Sequence, residues 1–312
     1  IEEGDEVITT PFSFIASSNC LLYERARPVF VDIEPETGNI DPNLIERAIT
    51  PRTKAILPVD AFGQPARLDE IRQIARRHGL IVIEDACESL GSEYKGIKTG
   101  NGAFADAAVF AFYPNKQITT GEGGMIVTDD AETAGLCRSL RNQGRDESGP
   151  WLSHVRLGYN YRLDELSAAL GLAQMRRLDE IVARRASVAE LYQKRLARVP
   201  GVRLPYTAPA VTRMSWFVYV IRVGMDEPSA ERQQAVRNRV MEELQYAGIE
   251  CRPYFTPIHL QPFYRRFFGY REGDYPVTEA AGRTSIALPF HNRLSVEEIE
   301  YVAQVLEKCL TS

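Results

Sequence analysis

Short, wholly apolar segments alternate with amphipathic helical ones through the first half of the chain, and this alternation restricts the fold more than any other feature. Pro28-Val29-Phe30-Val31, Ala55-Ile56-Leu57-Pro58-Val59 and Leu80-Ile81-Val82-Ile83 are apolar throughout. Strands with no polar alternation are covered on both faces, as parallel strands with helices packed over them are. Glu6 to Thr9 reads as an earlier short strand. A helical stretch follows Asp41-Pro42, with Pro42 suited to the first turn. The next predicted helix puts Leu68, Ile71, Ile74 and Ala75 on one face. Its last turn carries Arg76, Arg77 and His78, which suit the negative end of the helix dipole, and Gly79 stops it. The pattern predicts an α/β fold around a mainly parallel sheet.

Beyond Gly124 a further strand is predicted at Met125-Ile126-Val127 and a helix at about 131–140. The longest helical pattern runs over 164–199, where Leu163, Leu166, Leu170 and Ala173 recur at spacings of three and four and predict a buried stripe. Pro200-Gly201 ends it. The remainder reads as a smaller unit, with strands at 216–223 and 284–288 and helices at 231–247 and 296–310. The predicted division is a large domain over residues 1–199 and a small α+β domain over 200–312.

Composition narrows the function classes. The net charge of −5, without basic clusters, gives no footprint for nucleic acid. No apolar run approaches the ~20 residues needed to span a bilayer. The five cysteines are scattered and show no paired spacing, which predicts reduced thiols and a cytoplasmic setting. The four histidines lack metal-ligand spacing, so no metal is expected. The chain opens at Ile1 in what reads as the run-in to a strand, and so looks like the interior of a longer protein.

Four segments carry candidate chemistry. Asp85 lies at the carboxyl end of an apolar strand, where open α/β sheets usually contact ligands; read alone, it equally suits the cap of a following helix. Lys116 lies between the aromatic run Phe110-Ala111-Phe112-Tyr113 and the turn Thr119-Thr120-Gly121-Glu122-Gly123-Gly124. Glycines there allow close backbone approach, and a desolvated lysine loses its charge more readily, as a covalent-bonding lysine must. Asn160, in Gly158-Tyr159-Asn160-Tyr161-Arg162, precedes a helix start that could bind an anion or simply be capped. Tyr254-Phe255-Thr256-Pro257-Ile258-His259 suggests a rigid pocket wall, or a satisfied core histidine.

Taken in order, Glu84-Asp85-Ala86, Lys116 with its Thr-Thr-Gly-Glu-Gly-Gly turn, Leu157 to Arg162, and Pro257-Ile258-His259-Leu260 resemble the DegT/StrS family of sugar aminotransferases. The opening Gly4 to Ile8 and the Pro28 to Asp32 run resemble it too, so the likeness spans the chain. The resemblance implies a three-layer αβα pyridoxal-phosphate (PLP) transferase domain. It implies that Lys116 bonds covalently to the cofactor and shuttles a proton, that Asp85 pairs with the pyridine nitrogen, and that Phe14 stacks on the ring. Glu88 would stand near the 3′ oxygen, Asn160 would reach the cofactor phosphate of a neighbouring subunit, and His259 and Tyr254 would face substrate. The implied partners are a nucleotide-linked keto sugar, an amino-acid donor such as glutamate, and a second copy in a homodimer with shared sites. The product would serve polysaccharide or glycan synthesis.

Three departures qualify that likeness. Glu88 stands where many members carry glutamine and others, the perosamine type among them, carry glutamate; together with Glu93 to Gly96 it leans toward 4-amination. Ala111 stands where many place a serine on the phosphate. The family's phosphate-binding Gly-Thr or Gly-Ser loop has no counterpart after Ile1. The alternatives are a sugar dehydratase, in which histidine replaces the lysine, and a non-catalytic relative. Retention of Lys116 and Asp85 opposes both.

Overall fold

The computed structural model describes residues 1–146 and 149–311. Glu6–Thr9 forms β1, Ala16–Tyr23 α1, Arg27–Phe30 β2, Pro42–Ile45 α2, Thr53–Ile56 β3, Leu68–His78 α3 and Ile81–Asp85 β4. The strands β5 (Glu93–Tyr94), β6 (Ile97–Lys98), β7 (Ala107–Ala111) and β8 (Gly124–Val127) follow, then the helices α4 (Ala131–Arg141), α5 (Glu165–Met175) and α6 (Leu178–Leu196). The last third holds β9 (Val202–Arg203), β10 (Val211–Arg213), β11 (Tyr219–Val223), α7 (Ala230–Tyr246), α8 (Pro262–Phe268), α9 (Pro276–Thr284), β12 (Ser285–Leu288) and α10 (Val296–Thr311).

The main sheet has the order β2-β1-β3-β4-β7-β8. Its first five strands are mutually parallel and β8 closes one edge antiparallel to β7. Parallel strands leave all their carboxyl ends along one edge, so the loops after β1, β3, β4 and β7 converge there. A second sheet, β12-β11-β9, is antiparallel. A third, β10-β5-β6, carries a strand from beyond residue 199 back onto the hairpin after β4. One apolar cluster runs from Ile8 and Ile56 through Tyr192 and Tyr219 to Leu306.

Local signals account for most element ends. Asp41 accepts from the Asn43 N–H at the start of α2, Asp130 from Thr133 at α4, and Asp164 from Ser167 at α5. Gly79 ends α3 in the left-handed conformation, with φ 64°. The long helix expected over 164–199 is two helices, interrupted at Arg176 and Arg177. The stripe expected to be buried is open: Leu166 is 86% and Leu170 49% exposed, and Ala173 is exposed as well. Periodicity shows that a face requires a partner, and nothing in the described chain covers this one. The strand expected from Trp216 starts at Tyr219, because Trp216 adopts a φ of 54° that no strand residue uses. No helix among the described residues is long and apolar enough to cross a membrane.

Candidate active site

β4 delivers Asp85 to the carboxyl edge of the sheet, where it is 8% exposed. Its Oδ2 accepts a 2.6 Å hydrogen bond from Ser17 Oγ, and Ser17 is itself 2.9 Å from Ser13 Oγ. Its Oδ1 accepts from the Cys87 N–H at 3.2 Å, a bond to the backbone two residues on. No helix starts after Asp85, so the capping alternative is not realised. Phe14 lies one turn before Ser17, whose N–H donates to its carbonyl, and its ring is 63% exposed beside that edge.

Lys116 sits in the loop from β7 to β8. The loop closes on itself: Phe112 N–H donates to Gly123, and Thr120 N–H to Phe112. Gly123 has a φ of 148°, and a Cβ there would lie 2.6 Å from Thr120 Oγ1, so a side chain would break the turn. The Lys116 side chain is 13% exposed, with Nζ 3.5 Å from Glu88 Oε1. It also lies 4.1 Å from the centre of the Phe217 ring. Glu88 Oε2 accepts from the Phe62 N–H at 2.8 Å. Burial raises the Glu88 carboxyl above the ordinary range, against the opposing pull of Lys116. The Cys87 thiol is pushed far up, first by burial and then by the charge of Asp85, so it stays protonated and is no nucleophile. The segment after Asp85 links the two: the Cys87 N–H donates to Asp85 Oδ1, and the next side chain, Glu88, lies 3.5 Å from Lys116 Nζ.

Tyr254 joins this group, packed 6.4 Å from Phe62 and 6.5 Å from Phe217 and hydrogen-bonded to Asn115. His259 does not, which corrects its assignment to the substrate side. It is fully buried, and its Nε2 lies 3.0 Å from Glu279 Oε1, beneath the Tyr275 ring. Burial lowers its pKa, and the neighbouring carboxylate opposes this. It is a core histidine held through Nε2 alone, its buried Nδ1 having no hydrogen-bond partner, in the segment that presents Tyr254. Asn160 is exposed and bridges to Asn142, apart from this group. Ala111 pairs with Gly124 across β7 and β8 and offers no hydroxyl.

Sequence reading missed Ser17, Phe62, Gln117, Ser215 and Phe217. Gln117 donates to the Glu88 carbonyl and, at 2.7 Å, to Ser215 Oγ. These contacts join segments 29 and 98 residues apart, and no local pattern announces them.

Behind Asp85 lie two more carboxyls, Asp60 and Glu84, both fully buried. Their side chains hydrogen-bond each other, Ser89 Oγ donates to Asp60 at 2.6 Å, and Gly100 N–H donates to Glu84 at 2.9 Å. Burial raises both carboxyls above their ordinary range. Two uncompensated carboxyls in contact hold one proton between them. A raised folded-state pKa contributes stability that is complete below the unfolded value and is lost as pH rises toward the folded one. Glu84→Gln keeps a donor for Asp60 without the titrating proton. Its unfolding free energy is expected to fall less between pH 5 and 8 than that of the parent, by up to about 1.4 kcal/mol per pH unit. Parallel slopes in urea titrations would show that the pair does not share a proton.

The model of the DegT/DnrJ/EryC1/StrS aminotransferase family matches residues 1–307. GDP-perosamine synthase of Caulobacter vibrioides is 41% identical over 311 residues, covering 99% of this chain and 80% of that protein. Among solved structures, DesV of S. venezuelae has a TM-score of 0.89 at 36% identity, over 99% of this chain and 79% of DesV. The PLP form of Spr1654 from Streptococcus pneumoniae, a putative sugar aminotransferase by its description, has a TM-score of 0.90 at 29% identity, over 99% and 81%. With its fold, its lysine–carboxylate pair and these relatives in agreement, the chain belongs to the DegT/DnrJ/EryC1/StrS aminotransferase family.

Proposed function

We propose that this aminotransferase uses PLP to move an amino group from an amino acid, glutamate in the first instance, to a nucleotide-linked keto sugar, at the 4-position. The observation that carries the reading is the approach of Asp85 and Lys116 to one space from the ends of the adjacent strands β4 and β7. The residues present fit the cofactor: a buried, doubly hydrogen-bonded carboxylate, a lysine in a mostly enclosed space, and aromatic rings around it. PLP, when bound, supplies an aldehyde that carries the amino group and a ring that accepts the electron pair left when a carbon loses its proton. Asp85 would hold a proton on the ring nitrogen. Lys116 Nζ would bond to the aldehyde carbon and, once released, move the proton between substrate and cofactor carbons. Phe14 would cover the ring. Glu88, with its raised pKa, would donate its proton toward the phenolic oxygen rather than repel it. Phe62, Phe217 and Tyr254 would exclude water, and Tyr254 would face the sugar. Asn160 would reach the phosphate held in a partner subunit.

The same reading includes a homodimer. Its support is the exposed apolar face at Trp151 (87%), Leu157 (93%), Tyr161 (72%) and Leu166 (86%), on and just before α5. A second copy related by a twofold axis buries such a face against itself. Leu166→Glu is expected to shift the protein toward monomer in sedimentation, with a loss of activity if sites are shared; an unchanged dimer would place the interface elsewhere. The five cysteines, none of them in a disulfide, support a reducing compartment, so the cytoplasm belongs to the proposal. Residues 1–199 and 200–312 are kept as cofactor and small domains, α6 packing on α10 between them.

The test is an absorption spectrum of cofactor-loaded protein with glutamate, then with a panel of GDP-, UDP- and dTDP-linked keto sugars. A visible band lost with glutamate and restored by one class of sugar supports the reading. A band that ignores glutamate and every keto sugar overturns it.

A further inference from the structure

Residues directly opposite on antiparallel strands project from the same face of a sheet, with Cβ atoms about 5 Å apart. One such pair across β9 and β11 is Arg203 and Arg222. Like charges so placed repel each other. Among the described residues neither arginine takes part in an ion pair. Arg222 Nη1 donates to the Pro35 carbonyl at 2.6 Å, which fixes the guanidinium but supplies no counter-charge. Arg203 reaches the Met225 sulfur at 4.0 Å. Burial, and then the charge of Arg203, pushes Arg222 down to about 10, which leaves it a cation at neutral pH.

Both arginines line a cavity of about 270 Å³ between the 34–37 loop and the β9–β11 strands. Met214 and Val218 make part of its wall apolar. The one carboxylate on its lining, Glu36, lies beyond ion-pair distance of either guanidinium. A second cavity of about 380 Å³ adjoins it across Tyr206. Thr37 and Gln64 are already committed, Thr37 donating to Glu34 and Gln64 bonding to the Tyr206 carbonyl and the Ala208 N–H. The charged side chains on the lining are thus two guanidiniums against the single carboxylate of Glu36.

We propose that this cavity is a binding subsite for a phosphate-type anion, held jointly by Arg203 and Arg222. Guanidinium groups pair with phosphate oxygens in two-pronged fashion, and a partly apolar wall strengthens that attraction. An anion between the two arginines replaces their repulsion with two attractions. The adjoining cavity has room for the organic part of a phosphate ester. Lys116, Glu88 and Asp85 are not on the lining of this cavity, which borders their group at Phe62, whose N–H donates to Glu88. The inference does not depend on the proposed reaction.

Calorimetry on cofactor-saturated protein tests it, because bound cofactor already fills any phosphate seat in the lysine site. The probes are pyrophosphate and, separately, GDP. Pyrophosphate is expected to bind the parent and the Lys116→Ala variant alike, and to bind Arg203→Gln and Arg222→Gln about tenfold more weakly or worse, the loss of one charge-assisted bond. Equal pyrophosphate affinity in the parent and both arginine variants overturns the proposal. Arg222 is half-buried and its variant can fail to fold, so melting of the exposed Arg203→Gln supplies a second readout. In anion-free buffer that variant is expected to melt above the parent, through relief of repulsion, and pyrophosphate is expected to raise the melting temperature of the parent only. A variant that melts lower than the parent, and rises with pyrophosphate as the parent does, overturns the proposal as well. GDP bound more tightly than pyrophosphate, with the excess lost in Arg203→Gln, marks the ligand as a nucleotide using both cavities.

Discussion

Lys116→Ala is expected to lower both half-reactions by about 10³-fold or more, since a positioned proton-transfer group alone is worth roughly 10²–10⁴. The geometry leaves no substitute. Of the lysines and histidines, only Lys116 brings a nitrogen to Glu88 and the Phe217 ring, and His259, the other basic side chain of the motif segments, is enclosed against Glu279. The thiol of Cys87 faces the same space but is held protonated by burial and by Asp85. Lys116→Arg retains charge and bulk near Glu88, yet a guanidinium neither bonds to an aldehyde nor releases its proton at neutral pH. Both variants are therefore expected to be inactive, and both to keep the parent's circular dichroism, because the loop is closed by backbone bonds of Phe112, Thr120 and Gly123. Single-turnover rates with glutamate and with the keto sugar measure the loss. Borohydride treatment of loaded protein should add the cofactor's mass to the parent and to neither variant. A mass gain in Lys116→Ala would move the covalent bond to another residue and end the assignment.

The contrast between what was and was not legible in the sequence has a physical pattern. Strands β2 and β4 and helix α3 were predicted to within one or two residues, and β3, expected at 55–59, runs over Thr53–Ile56; both-sided burial and capping are written locally, as in Leu68, Ile71 and Ile74 on one face and Gly79 at the end. Asp85 and Lys116 were singled out on the same kind of signal, each lying near a strand end that composition marks. Ser17, Phe62, Phe217 and Ser215 were not, because their roles exist only once distant segments meet. Ser17 is 68 residues from Asp85 and carries no signal that it will donate to it. The Leu166 stripe misled differently. Its spacing correctly announced an apolar face, but spacing cannot tell whether the cover comes from the same chain, and Leu166 stands 86% exposed. His259 shows that a resemblance of motif does not place a side chain: the Pro257-Ile258-His259 segment is where the likeness puts it, while the ring points into Glu279 and Tyr275.

Asp85→Asn is expected to weaken cofactor binding by roughly ten- to a hundredfold, the worth of one charge-assisted hydrogen bond at about 1.5–3 kcal/mol. It is expected to slow turnover by a further factor of about 10²–10³, the scale seen when one preorganised electrostatic contact is removed. Asparagine is nearly isosteric: its oxygen can still accept from the Cys87 N–H while its NH2 donates to Ser17 Oγ, so β4 and the turn after it should hold. What disappears is the negative charge that would keep a proton on the ring nitrogen. Ser17→Ala removes the other half of the arrangement. The charge remains, and one of the two bonds that aim it is lost, so the expected cost is only about 1 kcal/mol, or some fivefold in affinity. The two variants separate charge from orientation, which neither does alone. If Asp85 acts by charge, Asp85→Asn is far worse than Ser17→Ala and the deficit lies mainly in kcat. If Asp85 only braces the turn, the two substitutions cost about the same, both appear as lowered melting temperature, and turnover per folded, loaded molecule stays at the parent's value. Cofactor titration, stopped-flow half-reactions and melting curves on the same three proteins decide between them, and equal turnover would remove Asp85 from the chemistry.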